Sequence, residues 1–367
     1  IRVEQTQELA VTSGTIGNST LNTAITRMAA PPRIIPNLQP FANARGFAAT
    51  FSTAGSIDLD NLFFKSLGSN GRTCVTCHSP STGWTVNPTD IVSRFNATNG
   101  LDPIFRPNDG AVCANANVST VQARSNAYSL LLRRGVFRID LPVPSDRDFD
   151  LVNATGVYCN NPMQSQFLPL FRRPLPSTNL KFLASVMWDG RESKPGLTVR
   201  ESLLNQANNA TVGHAQSLSQ LSPEDRERIV NFELGLFTAQ ISSLAALNGT
   251  CHNTPNVGSF SAPGFVNIGI GAANRRTVDM PLFTFRNKST GATIAVSDPG
   301  RALVTGKWDD IGKFKVPSLR ALPTRAPYFH DGSAQSIEDV IGFYVGRFGI
   351  NMNPQEQADL SAFLRSL

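Results

Sequence analysis

The most constraining feature of this 367-residue chain is one pentapeptide, Cys74-Val75-Thr76-Cys77-His78. In CxxCH the two thiols add across the vinyl groups of a haem, and the adjacent histidine coordinates its iron. A short turn sets both sulfurs at the vinyl positions while projecting His78 to the metal. A zinc half-site or a redox dithiol also begins as CxxC, but zinc needs a second ligand pair of similar spacing. The chain contains none. The preceding Leu62-Phe63-Phe64-Lys65-Ser66-Leu67-Gly68 is expected to pack against the macrocycle.

Hydrophobic residues at 41% and charged residues at 16% describe a globular chain long enough for two domains. No run of about 18 apolar residues occurs, so no membrane span is predicted. The net charge of +6 is carried by scattered Lys and Arg, with pairs such as Arg133-Arg134 and Arg172-Arg173. That pattern excludes a nucleic-acid patch and fits a solvated surface or one that meets an acidic electron donor. The chain begins at Ile1 without a leader, as a processed, exported protein would. Cys113 and Cys159 sit in loop-like surroundings, and a disulfide between them calls for an oxidising compartment.

Residues 1–45, polar and then proline-rich, are expected to form an extended arm. Residues 46–221 form a first, haem-bearing domain with irregular stretches at 96–118 and 142–180. A boundary falls at Ser222-Pro223-Glu224-Asp225, a helix start with Ser as N-cap and Pro at the first helical position. Its apolar face is Ile229, Phe232 and Leu236. Within the second domain, 222–367, residues 254–310 read as loop, and two helices close the chain. Ser336 caps the first, with Ile337, Val340, Ile341, Tyr344 and Phe348 on one face. Asn353 caps the second, with Leu360, Phe363, Leu364 and Leu367.

A second, less regular haem motif is Asn248-Gly249-Thr250-Cys251-His252, with Asn248 at the first cysteine position. Three readings stand: a haem held by one thioether through Cys251 with His252 ligating, a haem whose other cysteine lies in a segment missing before Thr250, or a surface Cys-His pair.

Taken in order, several phrases resemble the dihaem cytochrome c peroxidase/MauG family. They are residues 71–78, Met187-Trp188-Asp189-Gly190-Arg191, Asn231-Phe232-Glu233 with Phe237-Thr238-Ala239-Gln240, and Cys251-His252. Residues 312–320 (Gly-Lys-Phe-Lys-Val-Pro-Ser-Leu-Arg) and Ala326-Pro327-Tyr328-Phe329-His330-Asp331-Gly332-Ser333 complete the set. The resemblance covers residues 45–367. It implies a mainly α fold of two cytochrome c-like helical domains with long irregular loops, and a periplasmic location. It also implies two covalently bound haem c groups, the first reacting with peroxide and the second passing electrons. Trp188 matches the tryptophan between the haems, and His78 and His252 the proximal ligands.

Fourteen residues after His330 stands Tyr344, at the family's position for the second haem's distal ligand, where MauG-like members carry tyrosine and other peroxidases methionine. Met280 and Met352 do not match that spacing. A phenolate favours ferric and higher oxidation states, whereas a thioether favours ferrous iron. The resemblance therefore tilts to a hydrogen-peroxide-dependent oxidoreductase in which both haems hold the oxidising equivalents. Its electrons would come from a small redox protein or from a protein or organic substrate. Two alternatives stand: a peroxidase that detoxifies peroxide with a small redox-protein donor, and a non-catalytic electron carrier.

Peroxide cleavage needs a group that takes a proton from one oxygen and returns it to the other. Gln206 matches the family's distal glutamine, but Gln216 stands at the glutamate's offset and cannot transfer protons. His214 is the substitute acid–base, with Gln206 orienting peroxide. The Arg124–Arg134 stretch, where a switch ligand would fall, has no histidine, so the first haem is expected to be permanently open. Leu132 stands where the family's calcium-binding asparagine would, which leaves calcium open.

Overall fold

Short side chains at the helix starts decide where the chain turns. Thr198 and Glu201 form a capping box at the helix Val199–Gly213, and Ser222 accepts from the Asp225 amide at Pro223–Leu234. Ser336 with Asp339 and Asn353 with Glu356 do the same for Ile337–Phe348 and Pro354–Arg365. Each cap satisfies a backbone donor that the first turn leaves without a partner, worth about 1 kcal/mol. The computed structural model describes residues 33–159, 161–243, 265–267 and 279–367, all within the unit Arg33–Leu367.

The expectation of a mainly α fold is corrected. Of the described residues 34% are helical and 20% are in strands, so the fold is mixed α/β, its strands forming small sheets of two or three. The reason lies in short runs of β-branched and aromatic residues at period two. Leu282–Asn287 alternates half-buried and buried positions, placing Phe283 and Phe285 inward, and pairs on one edge with Thr293–Val296 and on the other with Phe149–Thr155. With Phe149, Leu168 and Leu170 these phenylalanines make a sheet-based core in a region read as loop. Phe167–Arg172, buried from Leu168 onward, pairs with Phe137–Pro142.

One pairing spans most of the chain. Gly46–Ser52 runs antiparallel to Leu236–Ser243, and the hydroxyls of Thr50 and Thr238 meet at 2.8 Å. Trp84 donates its indole N–H to Thr50 at 2.8 Å, which ties this sheet to the turn that follows His78. Phe63, Phe64, Trp84 and Phe232 pack edge to face around it. At the end of the chain, the Leu367 carbonyl accepts from the amides of Gln240 and Ala321. The disulfide expected between Cys113 and Cys159 is present; it closes 46 residues and contributes about 4 kcal/mol by loop entropy.

The two closing helices place Ile337, Ile341, Leu364 and Leu367 in one core. Phe348 and Phe363, expected on those inward faces, are each 47% exposed. No helix among the described residues is long and apolar enough to cross a membrane.

Candidate functional site

Residues 74–76 form a single 3-10 turn capped reciprocally by Thr73 and Thr76, and this brings Cys74, Cys77 and His78 to the wall of one cavity. The free space there is about 1370 Å³, mouth included. The His78 Nδ1–H donates to the Trp84 carbonyl at 3.0 Å, which leaves Nε2 free to ligate a metal. Burial lowers the His78 imidazole to about 4, keeping it neutral, as a metal ligand must be. Cys74 and Cys77 are not joined to each other, and burial pushes their thiols up to about 12 and 11. A redox CxxC needs the opposite shift. Paired thiols, a tautomer-locked histidine and a large, mostly apolar slot fit a covalently attached haem. Of the segment before the motif, Leu67 lines the slot while Phe63 and Phe64 pack into the aromatic core.

The opposite wall comes from the helix Val199–Gly213 and its end. Leu203, Gln206, Ala207, Ala210, Thr211 and His214 follow one helical stripe and all line the cavity. His214 is brought into register by backbone bonds from Ser69 to Gln216 and from Asn70 to Ala215. Gly68 permits this approach, since a Cβ there would lie 1.9 Å from the Ala215 carbonyl oxygen. The His214 Nδ1–H donates to Asp109 Oδ2 at 2.6 Å, and Asp109 Oδ1 accepts from Arg72 at 2.5 Å. Burial alone would raise the Asp109 carboxyl, but His214 and Arg72 outweigh it and hold it below the usual range. An ionised Asp109 accepts, so Nδ1 carries the proton and Nε2 is left to exchange one. Gln216 is turned outward and bonds Asn70.

Asp109, Arg72 and Glu233 are additions to the expected set. Nothing local marks Asp109, which meets His214 across 105 residues. Glu233 lines the same cavity with its Oε2 buried and without a hydrogen-bond partner, and burial raises its carboxyl to about 8.

A second cavity, about 850 Å³ with its mouth, lies beyond a shared wall made of Arg173, Pro174, Leu175, Pro176 and Trp188. Trp188 is 7% exposed and donates its indole N–H to the Arg173 carbonyl at 2.8 Å. Behind it His330 stands edge-on at 6.2 Å and stacks on Phe314 at 3.9 Å. Tyr344 lines this second cavity with Val340; its ring stacks on Phe348, and its hydroxyl has no hydrogen-bond partner among the described residues. Met352 packs in the C-terminal core and Met280 is buried elsewhere. Cys251 and His252 lie outside the described residues. Leu132 packs beside Cys77 in an apolar cluster, and no group of His, Cys, Asp or Glu able to hold a metal ion by itself occurs among the described residues.

No family model matches the chain. Its relatives are named cytochrome-c peroxidases. It is 29% identical over 162 residues to the cytochrome-c peroxidase IdrP1 of Pseudomonas sp. (strain SCT), 36% of this chain and 40% of that protein. It is 33% identical over 119 residues to the cytochrome c551 peroxidase of Nitrosomonas europaea, 32% of this chain and 29% of that protein. It is also 29% identical over 137 residues to the IdrP1 of Denitromonas iodatirespirans, 32% of this chain and 35% of that protein. The matched stretches thus span less than half of each relative.

Proposed function

We propose that this chain is a dihaem c-type oxidoreductase that consumes hydrogen peroxide and holds its oxidising equivalents across two haems, in the manner of MauG. The observation that carries the proposal is the pair of large cavities sharing Trp188 in their common wall. One contains the CxxCH motif and an Asp–His pair; the other contains a phenol, Tyr344, without a hydrogen-bond partner among the described residues. Cys74, Cys77 and His78 would hold the first haem, and His252 and Tyr344 the iron of the second, attached through Cys251. When bound, the haems would supply an open metal position and the two electrons that break the O–O bond; one oxygen leaves as water, and the other follows as water once the reductant returns two electrons and two solvent protons are taken up.

The chain's own residues handle the protons. His214 Nε2 takes a proton from one peroxide oxygen and delivers it to the other, while Asp109 keeps the imidazole in the required tautomer. The His214 side chain is 45% exposed, so it can exchange its proton with solvent between turnovers. The Gln206 amide, on the same helical stripe, orients peroxide. Trp188 links the two sites. The reductant that completes the cycle is a small redox protein or an organic or protein substrate. The disulfide accords with a periplasmic setting.

The relatives' names favour a second reading, a peroxidase that detoxifies peroxide after prior reduction by a small redox protein. Rapid mixing of the diferric protein with one equivalent of peroxide, followed by optical and EPR spectra, separates the two. Loss of both ferric signals within seconds supports shared storage. Reaction by reduced protein only would establish the second reading, and no reaction in either state would leave an electron carrier.

A further inference from the structure

The cations around the two cavities are treated differently. At the first, Lys65, Arg72, Arg172 and Arg191 each meet a carboxylate within 4 Å. At the second, Arg173, Lys315 and Arg325 are 5%, 4% and 7% exposed, and none has an ion pair among the described residues. Arg173 donates only to the carbonyls of Arg134, Val86 and Arg325, and Arg325 Nη2 only to Ser318. Arg325 Nε is buried without a partner among the described residues, and Lys315 is 4% exposed, with burial and the nearby Arg325 charge as the influences on its ammonium. Burial depresses all three, and the Arg325 charge adds to it at Lys315, brought to about 8, and at Arg173, brought to about 9. Asp331, the acid Arg173 feels, stays beyond ion-pair distance and accepts from the Ser333 amide.

Three buried positive charges without counter-ions are costly unless an anion joins them. The remaining walls are apolar: Pro174, Pro176, Leu319, Leu322, Val340 and Leu364. The occupant is therefore a large amphiphile with more than one negative charge at one edge. We infer that Arg173, Lys315 and Arg325 bind the two propionate carboxylates of the second cavity's haem, an inference that rests on the two-haem reading. The Lys315 amide donates to the Trp188 carbonyl at 2.8 Å, and the Trp188 indole donates to the Arg173 carbonyl. The acid edge thus lies against the shared wall rather than in solvent.

The test uses the holoprotein, with haem content measured as the pyridine haemochromogen. Lys315→Met removes one charge at similar volume, and Lys315→Arg retains it. The expected result in Lys315→Met is a lowered midpoint potential and a shifted resonance Raman propionate-bending band for one haem only, with Lys315→Arg close to wild type. Two haems with unchanged potentials and bands in Lys315→Met would overturn the assignment. One haem in the wild type would instead overturn the two-haem reading beneath it. If Lys315→Met does not accumulate, Lys315→Gln carries the same comparison.

Discussion

The two cavities differ in what surrounds them more than in shape. The first contains groups that move or hold protons, His214 on Asp109 and Glu233, beside the neutral Gln206 amide. Its cations are largely paired. The second offers two phenols, Tyr328 and Tyr344, and three cations without ion pairs among the described residues, in a mostly apolar shell. The contrast separates two kinds of chemistry that a peroxide-driven protein must keep apart. Proton transfer belongs where O–O cleavage occurs; stabilisation of fixed charge belongs where oxidising equivalents are held.

The sharpest way to break this comparison is to remove the proton-transfer group. His214→Ala is expected to slow the reaction of the first site with peroxide by about 10²–10⁴-fold. Stopped-flow optics should show the resting spectrum of the second site unchanged. Equal slowing with a disturbed second spectrum would mean the two sites are not chemically separate. Next in size is the charge network beside the wall. Arg172, 1% exposed at its side chain, bonds Asp189 at 2.5 Å and Asp298 at 2.7 Å. Arg172→Met should cost about 3–5 kcal/mol in urea unfolding, since it strands two buried carboxylates. Burial would raise Asp189, but Arg172 outweighs it and holds the carboxyl at about 2. That contribution is full above the ordinary value of 3.8 and is lost as pH falls through about 2, so the penalty of the variant should shrink in strong acid.

A smaller effect sharpens the contrast. Asp109→Asn should slow the peroxide reaction about 10–100-fold and change its pH profile, because an amide, able to donate as well as accept and carrying no charge, no longer fixes the Nδ1–H tautomer. An unchanged profile would reduce Asp109 to a packing role. The last effect concerns Glu233. Its folded value of about 8 lies above the ordinary 4.5, so the fold loses stability as pH rises from about 4.5 to 8, by at most about 1.4 kcal/mol per unit. Denaturation of Glu233→Gln across that range should show a flatter dependence than wild type.

Much of the first site could be read directly from residues. Cys74, Cys77 and His78 are adjacent in sequence, and Gln206 and His214 fall on one stripe of a single helix. Local capping chemistry likewise marked Ser222, Ser336 and Asn353. What escaped were contacts made across the chain. Asp109 reaches His214 only through the fold, and Arg173 and Lys315 become a pair only when the shared wall forms. The strands were missed for a related reason. Runs of six residues such as 282–287 alternate too briefly to stand out beside Gly- and Asn-rich punctuation, and partners such as 149–155 fix them. Phe348 and Phe363 were placed inward because helical periodicity gives a face but not its width.

Thr50 and Thr238 meet across 188 positions, and the pentapeptide Cys74–His78 lies inside the span they close. A chain made from its N-terminus presents Cys74 and Cys77 well before residue 238 exists. Until that late strand arrives, the thiols are bordered by an incomplete wall; afterwards they are half-buried behind a sheet and an aromatic cluster. On the proposed haem reading, the order in which the chain emerges sets a window for covalent loading. Delayed delivery of the macrocycle would meet a barrier made of the protein's own last-formed contacts.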